Sequence, residues 1–200
     1  MKIIFPEVEG TTEIYMDVLR AICGETKNKS MLDIGCNKAP HTPLLGFKDR
    51  CYVDILPRVL DHPDEQRFFH QIDALHITAR HIVAETTICS DCIEHVSREN
   101  GFKLINIMER ISYRQVLFTP LDPWCMSDKT PQEDPEGHHS VWSPEDFPGY
   151  ASIVFPVYHP TLNIGAFFFY RCENLQEDFE LVTMELMKKP WSNHTPIIVE

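Results

Sequence analysis

Four short apolar runs in this chain of 200 residues each close on an acid. Ser30-Met31-Leu32-Asp33-Ile34-Gly35 is the first and Cys51-Tyr52-Val53-Asp54 the second; Gln71-Ile72-Asp73 and Thr87-Ile88-Cys89-Ser90-Asp91 follow. Their separations suit strand, crossover and neighbouring strand. That pattern places the acids at the carboxyl ends of parallel strands, where open α/β sheets bind nucleotides. A carboxylate there accepts hydrogen bonds from hydroxyls and amines and attracts cations. Directly after Asp91 comes Cys92-Ile93-Glu94-His95-Val96, read as the first turn of the next helix. A cleft-facing imidazole at His95 can take up a proton near neutral pH. The bland alternative is that Glu94 and His95 only cap or brace that helix.

The elements that must hold these residues follow from periodicity. Thr11-Thr12-Glu13 opens an amphipathic helix through Ile22, capped by Thr11 or Thr12, with Ile14, Met16, Val18, Leu19 and Ile22 apolar. Strand-like runs at about 30–35, 51–55, 67–72, 86–91 and 114–119 alternate with crossover-length segments, as in a doubly wound parallel sheet. Ser97 caps a helix carrying Phe102, Leu104, Ile105, Ile107, Met108 and Ile111. Over 121–149 the periodicity stops, and a connection of that length is expected to be a mobile cover over a substrate pocket, with Trp124 and Trp142 in it. Inside it, Ser143 caps and Pro144 opens one short helix. The runs 151–158 and 164–171 predict an antiparallel hairpin at a sheet edge, and 174–189 a last helix. We therefore expect one α/β domain over 1–200: a doubly wound, mostly parallel seven-stranded sheet with an antiparallel C-terminal hairpin and helices on both faces. Residues 1–29 form its N-terminal helical segment and 121–149 its pocket insert.

Composition narrows the partners. No apolar stretch reaches the ~18 residues of a membrane span, and Pro6, Glu7 and Glu9 interrupt the apolar start. A soluble, cytoplasmic protein is expected. The net charge of −12, without a Lys/Arg cluster, argues against a nucleic-acid backbone as partner. Seven cysteines, an odd number within apolar runs, suit small buried hydrophobes in a reducing compartment. Cys89 and Cys92 form a lone C-x-x-C, so no zinc site, and no other metal site, is assigned. His62, His70, His76 and His81 have no partner pattern and read as surface or packing residues.

Together the four acids, the Gly35-Cys36-Asn37 turn and Ser90-Asp91-Cys92-Ile93-Glu94-His95-Val96 resemble the Rossmann-like S-adenosylmethionine-dependent methyltransferases of small molecules. The likeness spans about Ser30 to Arg171 and takes in His138-His139-Ser140-Val141-Trp142-Ser143-Pro144-Glu145-Asp146-Phe147, similar to a run that precedes the sixth strand in that family. It implies that Asp54, with Ile55 beside it, accepts from both ribose hydroxyls. Asp33 would engage the amino end, Asp73 the adenine amine with Ala74 leaving room, and Asp91 would lie near the reacting centre. His95 would act as base toward a small-molecule acceptor whose identity, and whose methylated atom (oxygen, nitrogen or carbon), stays open, as does the oligomeric state. The family's Gly-x-Gly-x-Gly loop reads here Gly35-Cys36-Asn37-Lys38-Ala39-Pro40. Asn tolerates positive φ and Ala is nearly as small, so the fold survives the change, while Pro40 tilts the first crossover helix. The same loop lacks the Gly-x-Gly-x-x-Gly of a dinucleotide site. Two other readings remain: a catalytically silent methyltransferase-like subunit, favoured by the lost glycines, and a metal-dependent enzyme similar to the small-RNA 2′-O-methyltransferases. In the latter, Asp91, Glu94, His95 and His138 or His139 would surround a divalent cation.

Overall fold

The computed structural model describes every residue except 80, 81, 122, 124, 125, 160, 163, 194, 195 and 200. His81 and Trp124 therefore lie outside the described residues. In chain order the strands and helices are β1 (Lys2–Ile4), α1 (Thr12–Cys23), β2 (Ser30–Ile34), β3 (Asp49–Asp54), β4 (Phe69–Gln71), β5 (Ala84–Ser90), α2 (Arg98–Ile111), β6 (Ser112–Pro120), β7 (Ala151–His159), β8 (Ile164–Arg171), α3 (Leu175–Met187) and β9 (Ile197–Val199). They build one sheet in the order β4-β3-β2-β5-β6-β8-β7-β1-β9. Strands β4 to β6 are mutually parallel, and β8 runs antiparallel to both β6 and β7.

Alternation along each strand feeds two cores. Met31, Tyr52, Ile88, Val116 and Phe168 face α1 and α3, meeting Val18, Leu19, Ile22, Phe179, Val182 and Leu186. Leu32, Val53, Cys89, Leu117, Phe167 and Phe169 point the other way, onto Leu104, Ile105, Met108 and Ile111 of α2. Thr11 caps α1 by accepting from the Ile14 N–H at 3.2 Å, and Ser97 caps α2 through the Asn100 N–H at 3.3 Å. Phe102, expected on the apolar face of α2, is instead exposed and lies edge-on to Trp142.

Three expectations need correction. The sheet has nine strands, not seven, because β1 pairs parallel with β7 and β9 antiparallel with β1. Each of these added strands is three residues long, too short for a period of two to show. For the same reason the β7–β8 hairpin is interior to the sheet, with Ile3 opposite Ile153 on one side and Ile198 on the other. Finally, the crossover after β2 contains no α-helix. Thr42–Leu45 is a single 3-10 turn with Pro43 near its start, and among the described residues the next two crossovers likewise hold only 3-10 turns, Pro63–Phe68 and Ala74–His76. Pro40 thus tilts no helix; prolines at 40, 43, 57 and 63 withhold the backbone donors that a helix needs.

Candidate functional site

The carboxyl ends of β2, β3, β4 and β5 open on a cavity of about 410 Å³. Gly35, Asn37, Asp54, Ile55, Asp73, Ala74, Asp91 and His95 line it, facing Pro131, Gln132, Pro135 and Glu136 of the long connection. A second cavity, of about 510 Å³, adjoins it and is lined by Asp33, Gly35, Cys36, Asn37 and Asp91 together with Tyr15, His41, Phe118 and Tyr158. Gly35, Asn37 and Asp91 belong to both, so the two meet there. Each residue that the resemblance placed at the cofactor or as base, Asp33, Gly35, Cys36, Asn37, Asp54, Ile55, Asp73, Ala74, Asp91 and His95, lines one cavity or the other, whereas Glu94, His138 and His139 line neither.

Strain gathers at that meeting point. Gly35 has φ +66, and a Cβ on it would lie 2.3 Å from the Cys92 sulfur, so only glycine fits. Asn37, Ala39 and Asp91 hold φ of +48, +45 and +46, uncommon for residues with side chains and typical of built sites. The Gly35 and Cys36 N–H groups both donate to Val53 O, which withdraws them from any ligand.

The acids differ in how much the protein itself uses them. Asp54 is buried and accepts at 2.9 Å from both the Asn37 and Leu56 N–H groups, while the Arg58 guanidinium stands 3.4 Å away and reaches on to Glu136 at 3.0 Å. It therefore pins the glycine-loop turn as well as lining the cavity. Asp73 caps its 3-10 turn by accepting from the Leu75 N–H at 2.9 Å, and its other oxygen lies 3.3 Å from His76, a partner the sequence did not signal. Asp33 is buried and accepts a short 2.5 Å bond from Thr42 Oγ1; burial, with Asp54 nearby, pushes its carboxyl up to about 7. Asp91 opens on both cavities and is exposed to solvent there, while the protein packed around its carboxyl pushes it up to about 6. Its carboxylate accepts no hydrogen bond from the described residues.

His95 is not in the first turn of α2. It ends a separate 3-10 turn, Ile93–His95, that precedes Ser97. Its Nδ1 is 3.1 Å from Gly137 O, and since a carbonyl only accepts, Nδ1 carries the proton and Nε2 keeps a lone pair. His138 lies edge-on to it, with centroids 4.9 Å apart. Glu94 is buried beneath them: one oxygen accepts from Thr119 Oγ1 at 3.0 Å and the other has no partner. Burial and the Asp91 charge push the Glu94 carboxyl up to about 8. Ligand atoms of Glu94, His95 and His138 all fall within 4.8 Å of one another. His139 instead meets Asp134 O at 2.8 Å.

The run from His138 to Phe147 braces this turn. The His139 and Ser140 N–H groups donate to Glu94 O at 2.7 and 3.1 Å, Ser140 Oγ donates to Ile93 O, and Trp142 Nε1 donates to Ser140 Oγ at 2.8 Å. Sequence reasoning missed Arg58, Tyr15, His41 and Tyr158 at the cavities. The alternating His138, Ser140 and Trp142, all buried, were the signal available for the brace.

Solved structures share this fold. A Burkholderia thailandensis 1,6-didemethyltoxoflavin N1-methyltransferase superposes with a TM-score of 0.60 over 79% of this chain and 76% of its own, at 11% identity. The N-methyltransferase NodS from Bradyrhizobium japonicum WM9 gives 0.56 over 80% and 96%, at 14% identity. The fold is that of the Rossmann-like S-adenosylmethionine-dependent methyltransferases. The small RNA methyltransferase HEN1 shares this methyltransferase fold at a TM-score of 0.54, over 82% of this chain and 25% of its own, at 14% identity. No protein-family model and no curated protein sequence matches the chain.

Proposed function

We propose that this protein is an S-adenosylmethionine-dependent methyltransferase acting on a small-molecule acceptor. The observation that carries the reading is the set of acids after successive strand ends, Asp54, Asp73 and Asp91, on one cavity whose loop keeps a single glycine. Asp54 and Asp73 offer acceptors that fit a ribose and an amine, Asp91 stands where the two cavities meet, and no phosphate cradle accompanies them. When bound, the cofactor supplies an electrophilic methyl group. The chain's part is to hold the hydroxyls at Asp54, the amino end at Asp33 and the adenine amine at Asp73. Holding two reactants in register supplies most of the rate in such a transfer. His95, with Nδ1–H fixed on Gly137 O, offers Nε2 to take the acceptor's proton. No described helix is long and apolar enough to cross a membrane, and the six described cysteines are unpaired, which supports a cytoplasmic setting. Calorimetry with adenosylhomocysteine tests the reading, and the absence of binding sinks it. Methyl incorporation into metabolite pools then separates an enzyme from a silent subunit. In the active enzyme, His95→Ala lowers turnover by about 10²–10⁴-fold while adenosylhomocysteine affinity holds.

One cluster favours a second reading. Two imidazoles and an orphaned, buried carboxylate oxygen at Glu94, His95 and His138 form a donor set that suits a divalent cation. Such an ion would supply Lewis-acid activation of a hydroxyl, as a 2′-O-methylating enzyme acting on RNA would use. The net charge of −12 speaks against the polymer. Titration of Mn²⁺ or Co²⁺ into the protein decides: this reading requires a thermal shift that Glu94→Gln abolishes.

A further inference from the structure

We infer that the second cavity is the acceptor site of the proposed methyl transfer and that it takes a small aromatic or heteroaromatic ring bearing an amine, held by Asp91. The inference rests on the methyltransferase reading, and four features carry it. First, the two cavities share only Gly35, Asn37 and Asp91, so a cofactor that fills the first and reaches Asp33 with its amino-acid end leaves the ring-lined side of the second, at Tyr15, Phe118 and Tyr158, as the space for its reaction partner.

Second, the walls are rings. Phe118 lies edge-on to Tyr158 at 5.3 Å and to Tyr15 at 5.2 Å, and the His41 imidazole is 5.2 Å from Tyr15. Tyr15 is fixed from within by donating to Ser90 Oγ at 2.6 Å, so its ring is a rigid wall. Tyr158 lies within a register irregularity in β7 between Phe155 and His159, the kind of bulge that re-aims side chains near sites. Aromatic walls of this sort favour a planar ligand through edge-to-face and offset stacking.

Third, the charge is of one sign. Asp33 and Asp91 line the cavity, and among the described residues no Lys or Arg does. Burial lowers the His41 imidazole, which is therefore a neutral ring at pH 7 rather than a cation. Apart from the amino end of α1 and the exposed His159 imidazole at its rim, a carboxylate or phosphate acceptor would meet two acids and no Lys or Arg among the described residues. The amino end of α1 also opens here and suits the carboxylate of the cofactor's amino-acid moiety, while Asp33 suits its ammonium.

Fourth, Asp91 is the acid left over. It stands in a left-handed conformation that a side chain adopts only at a cost, its carboxylate accepts nothing from the described protein, and it faces both cavities. A protonated or neutral amine fills that vacancy with a charge-assisted hydrogen bond. An amine has one more property that a purely electrostatic anchor would not require: once unprotonated, its nitrogen lone pair can attack the sulfonium methyl group as the sulfur–methyl bond breaks to leave the neutral thioether, the nitrogen's surplus proton passing to His95 Nε2, the base of the proposed transfer.

Matched probes separate ring, charge and place. Tyramine, 4-hydroxyphenylacetate and butylamine are titrated at pH 8 by NMR into the full-length protein, with and without saturating adenosylhomocysteine, and into Asp91→Asn. Asparagine tolerates positive φ at least as well as aspartate, so the variant keeps the turn. We expect tyramine to bind at least about tenfold more tightly than either other probe, since one charge-assisted bond or one buried ring each gives about that factor. The preference over 4-hydroxyphenylacetate should fall below about threefold in Asp91→Asn, whereas attraction to the acidic surface at large would survive the substitution. Equal affinity for amine and carboxylate, no tyramine binding, an unchanged preference in the variant, or displacement of tyramine by adenosylhomocysteine each overturns the inference. If adenosylhomocysteine fails to bind but tyramine keeps its preference, the methyltransferase reading falls and the amine site stands; the converse result leaves the enzyme and removes its amine acceptor.

Discussion

The two cavities are walled by different kinds of sequence. Nearly all of the first is drawn from strand ends and the turns that follow them, between Gly35 and Leu104, with one patch from the long connection. The second draws on the segment around Gly10 to Tyr15, the turn at Pro40 to Thr42, the end of β6 and the end of β7, which are far apart in the chain. One cavity is thus a by-product of laying parallel strands side by side, and the other also needs the N-terminal segment and the ends of β6 and β7 brought over those strand ends. A pocket of the first kind suits a ligand common to a fold; a pocket of the second kind can change with every chain.

The comparison breaks most visibly at Trp142, which sits between the connection and α2. It is almost fully buried, packs edge-on to Phe102, and occupies the space that a side chain at position 101 would need, 2.4 Å from the Cβ that Gly101 lacks. Trp142→Ala is expected to cost about 3–5 kcal/mol in urea unfolding, and to free Ser140 and with it the turn that carries Glu94 and His95. The second cavity shares no wall with this brace, so ring-probe binding there should outlast the loss in whatever fraction stays folded. If both cavities fail together, they are one cooperative unit and the contrast drawn between them is wrong.

A smaller effect sharpens the contrast from the side of the first cavity. Asp54→Ala should weaken adenosylhomocysteine by about 2–3 kcal/mol, the loss of charge-assisted bonds to a pair of hydroxyls. Because Asp54 also holds the Asn37 and Leu56 N–H groups, one on each oxygen, Asp54→Asn is the milder variant: it keeps an acceptor for one of the two and loses the charge. Calorimetry on both, with folding checked by circular dichroism, separates the roles. Normal affinity in both variants would remove Asp54 from the cofactor site and leave it as a pin for the loop.

What the sequence made legible follows the same division. The caps at Thr11 and Ser97, the four acids after their strands and the left-handed turn at Asn37 are local signals, set by side chains a few residues apart. The three-residue strands β1 and β9 were not legible, because pairing with β7 and with each other, not periodicity, makes them strands. The missing helices of the first two crossovers could have been read from Pro40, Pro43, Pro57 and Pro63 had the prolines been weighed above the spacing; the third crossover carries no proline. Arg58 against Asp54 and Tyr158 against Phe118 had no local signal, since tertiary closure alone brings each pair together. His95 was placed in the right cleft on the wrong element: the turn that holds it is fixed by His139 and Ser140, more than forty residues on.

Asp33 offers the subtlest way to tell the cavities apart, through pH. Its carboxyl lies at about 7 in the folded protein, because burial disfavours the charge, against ~3.9 for an unfolded chain. Between those values the unfolded state binds fewer protons than the folded one, so this group makes stability fall as pH rises from about 4 to about 7. Asp33→Asn keeps an acceptor for Thr42 Oγ1 and removes the charge. The variant should match the parent at pH 4.5 and exceed it by roughly 1–2 kcal/mol at pH 8, a discounted share of the full linkage value. Adenosylhomocysteine should reduce that gap in the parent, since its ammonium would give the buried carboxylate a partner and so make the charged form the favoured one. A ring-bearing amine in the second cavity should leave the gap in place, because Asp91, not Asp33, is its anchor. Urea unfolding at the two pH values with each ligand checks this. A gap that closes equally with both would mean that Asp33 and Asp91 act as one anionic surface and that the two cavities take their ligands in common.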